Sequence, residues 1–413
     1  MGVQTAGVKR PEEGETSMNQ RLLFVFHSNF LRGNQGTHNR LLALTRALKK
    51  KGFELDLFGF EHFSEYSFST FEQDNAQEHL ISRAFVYDMN ERGNRINKFI
   101  MRVKNKLYRI FQHSEPHLYD WTTPGMKKML RRVVKENEYC AIFNFYTYLS
   151  PLFDGFSFPG KLIYFMEDCC FIQQRSLDTG KHPTSYGRLL NDDLVRLGCY
   201  DALFCISYDE KSLFEKLTGR RIRFFPHLVD NRHHLPLPVA ERKWDVLYIG
   251  FHNAYNIEAL QWFMDQVYPL LNKELRLVFV GNVTAHVDCV RENIEIIPYA
   301  EDLSEIYCNA KLSVCPMFRG TGMKIKVVEA MSYGLPVVCN ERGVDGLPDK
   351  TRNGCIVTED PAEFAKQINA LLTDRTLYDR QAALIRDYFN EVFDGAQYVD
   401  KLVEVLTIEK VKP

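Results

Sequence analysis

The sequence predicts an α/β protein built from two consecutive parallel-sheet domains. Three observations carry this expectation. The chain has 413 residues, too many for one ordinary core and enough for two domains of roughly 150–200 residues. A strand–loop–helix–strand unit opens it at RLLFVFH (21–27) and FELDLFGF (53–60), and the same theme restarts at WDVLYIGF (244–251). Between the two lies a proline-containing polar stretch, NRHHLPLPVAERK, at 231–243.

Taken in order, residues 1–18 read as a flexible polar tail, because charges (KRPEEGE) replace any apolar leader core. Residues 19–230 form the first domain. Its apolar runs at 21–27, 53–60, 140–145 (CAIFNF), 162–168 (LIYFMED), 202–207 (ALFCIS) and 221–226 (RIRFFP) suit strands buried on both faces. An amphipathic helix, RLLALTRALKKKG, follows the polar turn SNFLRGNQGTHN, and the pattern from 61 to 120 is less regular. Residues 231–243 are the linker. Residues 244–390 form the second domain, with a helix over 256–271, a strand LRLVFVG (275–281), then EIIP, KLSVCP and CIVT among helices. Residues 391–413 are expected to hold a terminal helix.

Composition excludes several classes. Formal net charge is −1 and the pI is about 6.9, so nucleic acid is not suggested as a general partner. No apolar run reaches about eighteen residues, which argues against a membrane-spanning helix. Ten cysteines lie scattered without C-x-x-C pairs, which suits reduced thiols in the cytoplasm; structural zinc is not expected. No G-x-G-x-x-G follows the first strand, which counts against a nicotinamide enzyme.

The most informative stretch is FRGTGMKIKVVEAMSYGLPVVCNERGVDGL, 318–347. Gly320, Thr321 and Gly322 are expected to open a helix that carries Lys324, Lys326 and Glu329 and breaks at Gly334. A glycine-led helix N-terminus offers free N–H groups and the positive end of the helix dipole to an anion. The lysines strengthen that preference, and Glu329 stands where a carboxylate can accept hydrogen bonds from sugar hydroxyls. Phosphate at the helix mouth beside a ribose-type diol describes a nucleoside diphosphate. The competing reading is a surface helix with solvated lysines, packed through Ile325, Val328 and Met331.

The same segment resembles the C-terminal signature of GT-B glycosyltransferases of the retaining family 4 type, in the bacterial branch written G-T-G-x-K-x-K-V-x-E-A-M-x-x-G-x-P-V-V. The resemblance implies two Rossmann-like domains facing a cleft, with the terminal helices crossing back toward the first domain. The wider family has two glutamates eight residues apart. The second matches Glu329 and the first falls on Thr321, a departure that bears on donor-sugar contacts. The branch's G-x-x-x-x-x-N-x-x-A-x-x-W-F is matched by Gly250, Asn256, Ala259, Trp262 and Phe263. There Asn256 reads either as a helix N-cap or as part of a second diphosphate cradle. Pro298 and Tyr299 correspond to the turn that holds the nucleobase, with Tyr299 stacking on the base or lying in the core. PHLVD (226–230) resembles the hinge that ends the first domain.

In the first domain, Gly33, Gly36 and Thr37 lie in a loop before a helix, either as a phosphate or anionic-acceptor loop or as a plain turn. Glu167 and Asp168 end a strand at the edge where ligands bind parallel sheets. The resembling branch carries an aspartate at Asp168, which points to acceptor-hydroxyl orientation or general-base work; solvated or capping carboxylates are the alternative. No D-x-D motif occurs, so no metal is expected, and Lys324 and Lys326 would supply positive charge at the leaving group. The basic segment NKFIMRVKNKLYRIF (97–111) reads either as a peripheral contact with an anionic inner-membrane face or as an ordinary domain helix.

The expected function is metal-independent, retaining transfer of a sugar from a nucleoside-diphosphate sugar to a glycan, polysaccharide or lipid-linked acceptor. No bound cofactor is expected beyond the nucleotide sugar as co-substrate. The alternatives are a non-catalytic GT-B partner that binds sugar nucleotide and an enzyme like the UDP-sugar 2-epimerases.

Overall fold

The computed structural model describes residues 20–33, 36–61, 68–89, 117–177, 186–286, 291–300 and 302–408, with Ile96, Phe99 and Val103 besides. The expected tail at 1–18 lies outside them, as does the 97–111 segment apart from Phe99 and Val103.

The first sheet contains β1 (Arg21–Val25), β2 (Glu54–Glu61), β3 (Arg83–Asp88), β4 (Ala141–Asn144), β5 (Lys161–Met166), β6 (Ala202–Cys205) and β7 (Ile222–Phe224). They lie in the order β3-β2-β1-β4-β5-β6-β7, every pair parallel. Parallel strands covered on both faces need side chains that are apolar on both faces, which is why Leu22, Leu23 and Phe24 are all fully buried. Rings zip neighbouring strands together: Phe24 stacks on Phe143 at 5.1 Å between centroids, and Phe165 on Phe204 at 4.8 Å.

The second sheet contains β8 (Trp244–Ile249), β9 (Leu277–Val280), β10 (Ile294–Ile297), β11 (Ala310–Cys315), β12 (Val337–Cys339) and β13 (Ile356–Val357). Its order is β10-β9-β8-β11-β12-β13, again parallel throughout. In both sheets the strand order reverses beside the first strand of the domain, between β1 and β4 and between β8 and β11. Loops leaving the strand ends at such a reversal splay apart and leave a crevice for ligands.

The expected continuous helix over 256–271 is broken. A regular helix runs over Ala254–Trp262, followed by a wider turn at Phe263–Val267 and a tight one at Tyr268–Leu270. Pro269 has no N–H to donate and its ring crowds the preceding turn, which ends the helix there.

Residues 225–243 leave the first domain and pack along the second, where the Arg232 N–H donates to the Ser332 carbonyl at 2.8 Å. The helix Arg375–Val392 places Ile385, Tyr388 and Phe389 in the second core with Met331 and Tyr333. The next helix, Gly395–Thr407, belongs to the other core: Val399, Leu402, Val405 and Leu406 pack among the first domain's residues. Lys161 donates to the carbonyls of Val405 and Ile408, and Lys51 pairs with Asp400 at 2.5 Å. Among the described residues the chain therefore crosses between the domains twice, at 225–243 and at 393–395.

Leu402 is fully buried beneath the first sheet. Leu402→Ala is expected to cost about 2–5 kcal/mol, read as a lower urea midpoint for the first domain. A midpoint within error of the parent protein would mean that the terminal helix is not docked there.

Candidate functional site

The two sheets present their strand ends to one another, and the stretch 318–324 leaves β11 into that gap. Gly320 and Gly322 have φ of 104° and 70°, left-handed backbone that suits glycine. A Cβ on Gly322 would lie 3.0 Å from the Glu167 carbonyl oxygen across the cleft. The helix itself runs over Ile325–Ser332 with Lys324 at its N-cap, so Gly320–Gly322 form a turn ahead of it rather than its first residues. The positive φ of Gly322 is incompatible with a right-handed helical turn, which is the physical reason for the later start.

Side chains in the motif divide into two layers. Lys324 is buried, with its Nζ 3.2 Å from the Gly322 carbonyl and 3.4 Å from that of Thr321. Lys326 points beneath the turn, donating to Asn256 Oδ1 at 2.8 Å and lying 5.4 Å from the Tyr248 ring centroid. Burial depresses its pKa. The Tyr307 hydroxyl donates to Glu329 Oε2 at 3.0 Å, and burial raises the Glu329 pKa.

Asn256 is not the N-cap. That role belongs to Asn253, whose Oδ1 accepts the Asn256 N–H at 2.8 Å. Asn256 sits three residues on, in the first turn, where its Nδ2 donates to the Phe251 carbonyl and its Oδ1 holds Lys326. Gly250 ends β8 where a Cβ would meet Val283 at 2.9 Å, and its own carbonyl oxygen lies 2.2 Å from where a Cβ of Gly281 would stand. Tyr299 is 76% exposed at the end of β10, so the core placement is excluded.

On the facing wall, β5 ends in Glu167 and Asp168. Asp168 Oδ1 accepts from Thr321 Oγ1 at 3.2 Å, directly across the cleft. Burial raises the Asp168 pKa against the opposing effects of Thr321 and Lys324. Gly36 touches the motif helix, since a Cβ there would lie 2.9 Å from Ile325 Cδ1. Gly33 has φ of 65° and closes a short turn through its N–H to the Phe30 carbonyl at 3.2 Å. Thr37 follows Gly36 in the helix Gly36–Lys50 and hydrogen-bonds Tyr146 at the end of β4. Gly36, the β5 end and the motif turn thus line one cleft, while Gly33 packs against Asn39 and Leu42 and Tyr299 stands at the end of β10.

Sequence reasoning missed the charged layer under the first wall. Arg40 and Glu167 form a buried ion pair, Nε to Oε1 at 3.1 Å, and Arg40 Nη2 donates to the Phe225 carbonyl at 3.1 Å. Burial outweighs the attraction of Arg40 and pushes the Glu167 pKa to about 7. His227 lies buried nearby, its pKa lowered from 6.5 to about 3 by burial and then by Arg40. Glu210, after β6, was also missed, and its carboxylate accepts the Gly322 N–H at 2.9 Å.

A depressed histidine pKa weakens the folded state in acid, because only the unfolded chain takes up the proton between pH 6.5 and about 3. His227→Gln is therefore expected to gain on the parent protein by about 1.4 kcal/mol per pH unit below about pH 6. The check is the difference in Tm between the two proteins at pH 7.5 and pH 5; a constant difference would contradict a neutral buried His227.

Residues 243–374 match the family model described as Glycosyl transferases group 1. A curated relative, the uncharacterized 44.6 kDa protein in the cps region of Klebsiella pneumoniae, is 27% identical over 157 residues. That match covers 33% of this chain and 40% of the relative, less than half of its length. Among solved structures, HepE of Anabaena in complex with UDP and glucose superposes with a TM-score of 0.65 at 14% identity, covering 94% of this chain and 99% of that one. Sucrose-phosphate synthase of Thermosynechococcus elongatus gives 0.65 at 15% identity, covering 94% and 98%. The chain has the GT-B fold, and its second domain matches the glycosyl transferases group 1 model.

Proposed function

We propose that this protein is a glycosyltransferase that moves a sugar from a nucleoside-diphosphate sugar to an acceptor hydroxyl, with retention and without a metal ion. The observation that carries the reading is the left-handed Gly320–Gly322 turn, which brings a backbone amide, Thr321 and Lys324 against Asp168 of the opposite domain. The group 1 match over the same domain supports it.

In this reading the diphosphate lies over the Gly322 amide beside Lys324, and positive charge there stabilises the leaving group. Lys326 acts from below, its ammonium aimed by Asn256. A charge-assisted hydrogen bond contributes roughly 1.5–3 kcal/mol, so two lysines and an amide can lower the barrier by several orders of magnitude in rate. The free oxygen of Glu329 accepts from the ribose, while Tyr307 fixes the other. Tyr299, exposed at the end of β10, stacks on the base. Asp168 orients the acceptor hydroxyl; burial raises its pKa, which makes it a better proton acceptor than a solvated carboxylate. Gly33, Gly36 and Thr37 border the acceptor side. The cps-region relative supports a polysaccharide or its lipid-linked precursor as acceptor.

One observation favours a second reading, a non-catalytic partner that binds sugar nucleotide. Thr321 stands where the wider family has its first glutamate, so a donor-sugar contact is lost. Such a protein binds nucleotide but neither hydrolyses nor transfers the donor.

Thermal shift against UDP, GDP, ADP, dTDP and CMP, with and without EDTA, tests the proposal. Ligand at a hundred times its Kd adds about 2.7 kcal/mol, so one diphosphate should raise Tm by several degrees regardless of chelator. No rise with any nucleotide would contradict the donor site. A rise without hydrolysis of the matching nucleotide sugar would favour the silent partner.

A further inference from the structure

The Gly322 amide, which the proposed donor requires, already holds an anion. That anion is Glu210 of the opposite domain, whose Oε1 accepts the Gly322 N–H at 2.9 Å. Glu210 lies in the first turn of the helix Tyr208–Thr218, capped by Ser207, whose Oγ accepts the Glu210 N–H at 3.3 Å.

Its neighbours do different work. The Tyr208 N–H donates to the Gly346 carbonyl, and the Gly346 N–H donates to Asp209 Oδ2, both at 2.9 Å. Lys350 Nζ lies 2.7 Å from the same Asp209 oxygen. These contacts tie the two domains together at a second glycine turn, without using the motif amide. Glu210 is not needed for that tie. It places a second carboxylate near Asp168, where the two repel, on the amide best suited to a phosphate oxygen. Burial and Asp168 raise its pKa, whereas Ser207, Gly322 and Lys324 oppose the rise.

We propose that Glu210 is an internal occupant of the phosphate subsite: it holds the Gly320–Lys324 turn in the empty protein and is displaced when the donor diphosphate binds. The inference rests on the donor-site reading above and adds a residue of the first domain to donor recognition. Glu210 is a positioning residue, acting on the donor through the backbone of the turn. The arriving phosphate replaces one acceptor at the amide with another of higher charge, and the released carboxylate opens the wall beside Asp168.

The test uses the full chain and its Glu210→Gln and Glu210→Ala variants, with two readouts. Amide hydrogen exchange in the peptide spanning 318–324, measured without ligand, should quicken in Glu210→Ala. Calorimetry with UDP and with uridine, or the pair chosen by the thermal panel, should give roughly three- to tenfold tighter diphosphate binding in Glu210→Gln. Nucleoside affinity should not change, whereas a merely structural role would weaken both ligands together. Unaltered exchange, or diphosphate affinity equal to or below that of the parent protein, overturns the inference. Quickened exchange with no diphosphate bound by any of the three proteins overturns the donor-site reading instead.

Discussion

Two backbone amides, those of Gly322 and Gly346, organise the cleft. Each donates across it to a carboxylate of the other domain, Glu210 and Asp209 respectively. A buried N–H without an acceptor costs about 1–3 kcal/mol, so each turn demands an anion or carbonyl opposite it. Both glycines are conformationally required. Gly322 has φ of 70° and Gly346 of 84°, and a Cβ on Gly346 would stand 2.9 Å from Met323 Cα. Gly322 can stand this close to the Glu167 carbonyl of the facing wall only because it carries no side chain, and Gly346 for the same reason packs on Met323 of its own domain. From that approach follow the contact of Thr321 with Asp168 and the placing of Lys324 beside both.

A second tier of buried charge supports each wall. Under the first, Arg40 reaches from the helix after the Gly36 turn to Glu167 and the Phe225 carbonyl, linking three segments that border the cleft. Breaking such a pair by removing one partner costs roughly 3–5 kcal/mol, which fixes the β5 end that presents Asp168. Under the second wall, Lys326 and Asn256 join the motif helix to the helix that follows β8. In each domain a cation placed below the surface sets the geometry of polar groups at the surface.

Much of this was legible in the sequence. Runs such as RLLFV and WDVLYI are apolar on both faces, and only a covered parallel strand tolerates that. The 318–347 stretch announced its helix through Ile325, Val328 and Met331, but its two glycines read as the opening of that helix rather than as the turn ahead of it. What the sequence hid depended on contacts distant in the chain. In HNAYN two asparagines compete for one N-cap, and Asn253 holds it while Lys326, seventy positions away, engages Asn256. Glu210 sits in SYDE, an ordinary helix start whose acids suit the dipole, and nothing local assigns it to Gly322. Arg40 sits in a helix that reads as amphipathic, with no local sign that its charge is buried. The late start of the motif helix follows from the left-handed Gly322, which marks a turn only once its φ is known.

The central claim is that the Gly322 turn receives a diphosphate. Calorimetric titration of Gly322→Ala with the nucleoside diphosphate and with its parent nucleoside tests it most directly. An added Cβ strains the left-handed backbone and presses on the Glu167 carbonyl, so the account predicts at least a tenfold loss for the diphosphate, about 1.4 kcal/mol, with nucleoside affinity retained. Equal affinity of the variant and the parent protein for the diphosphate would contradict it.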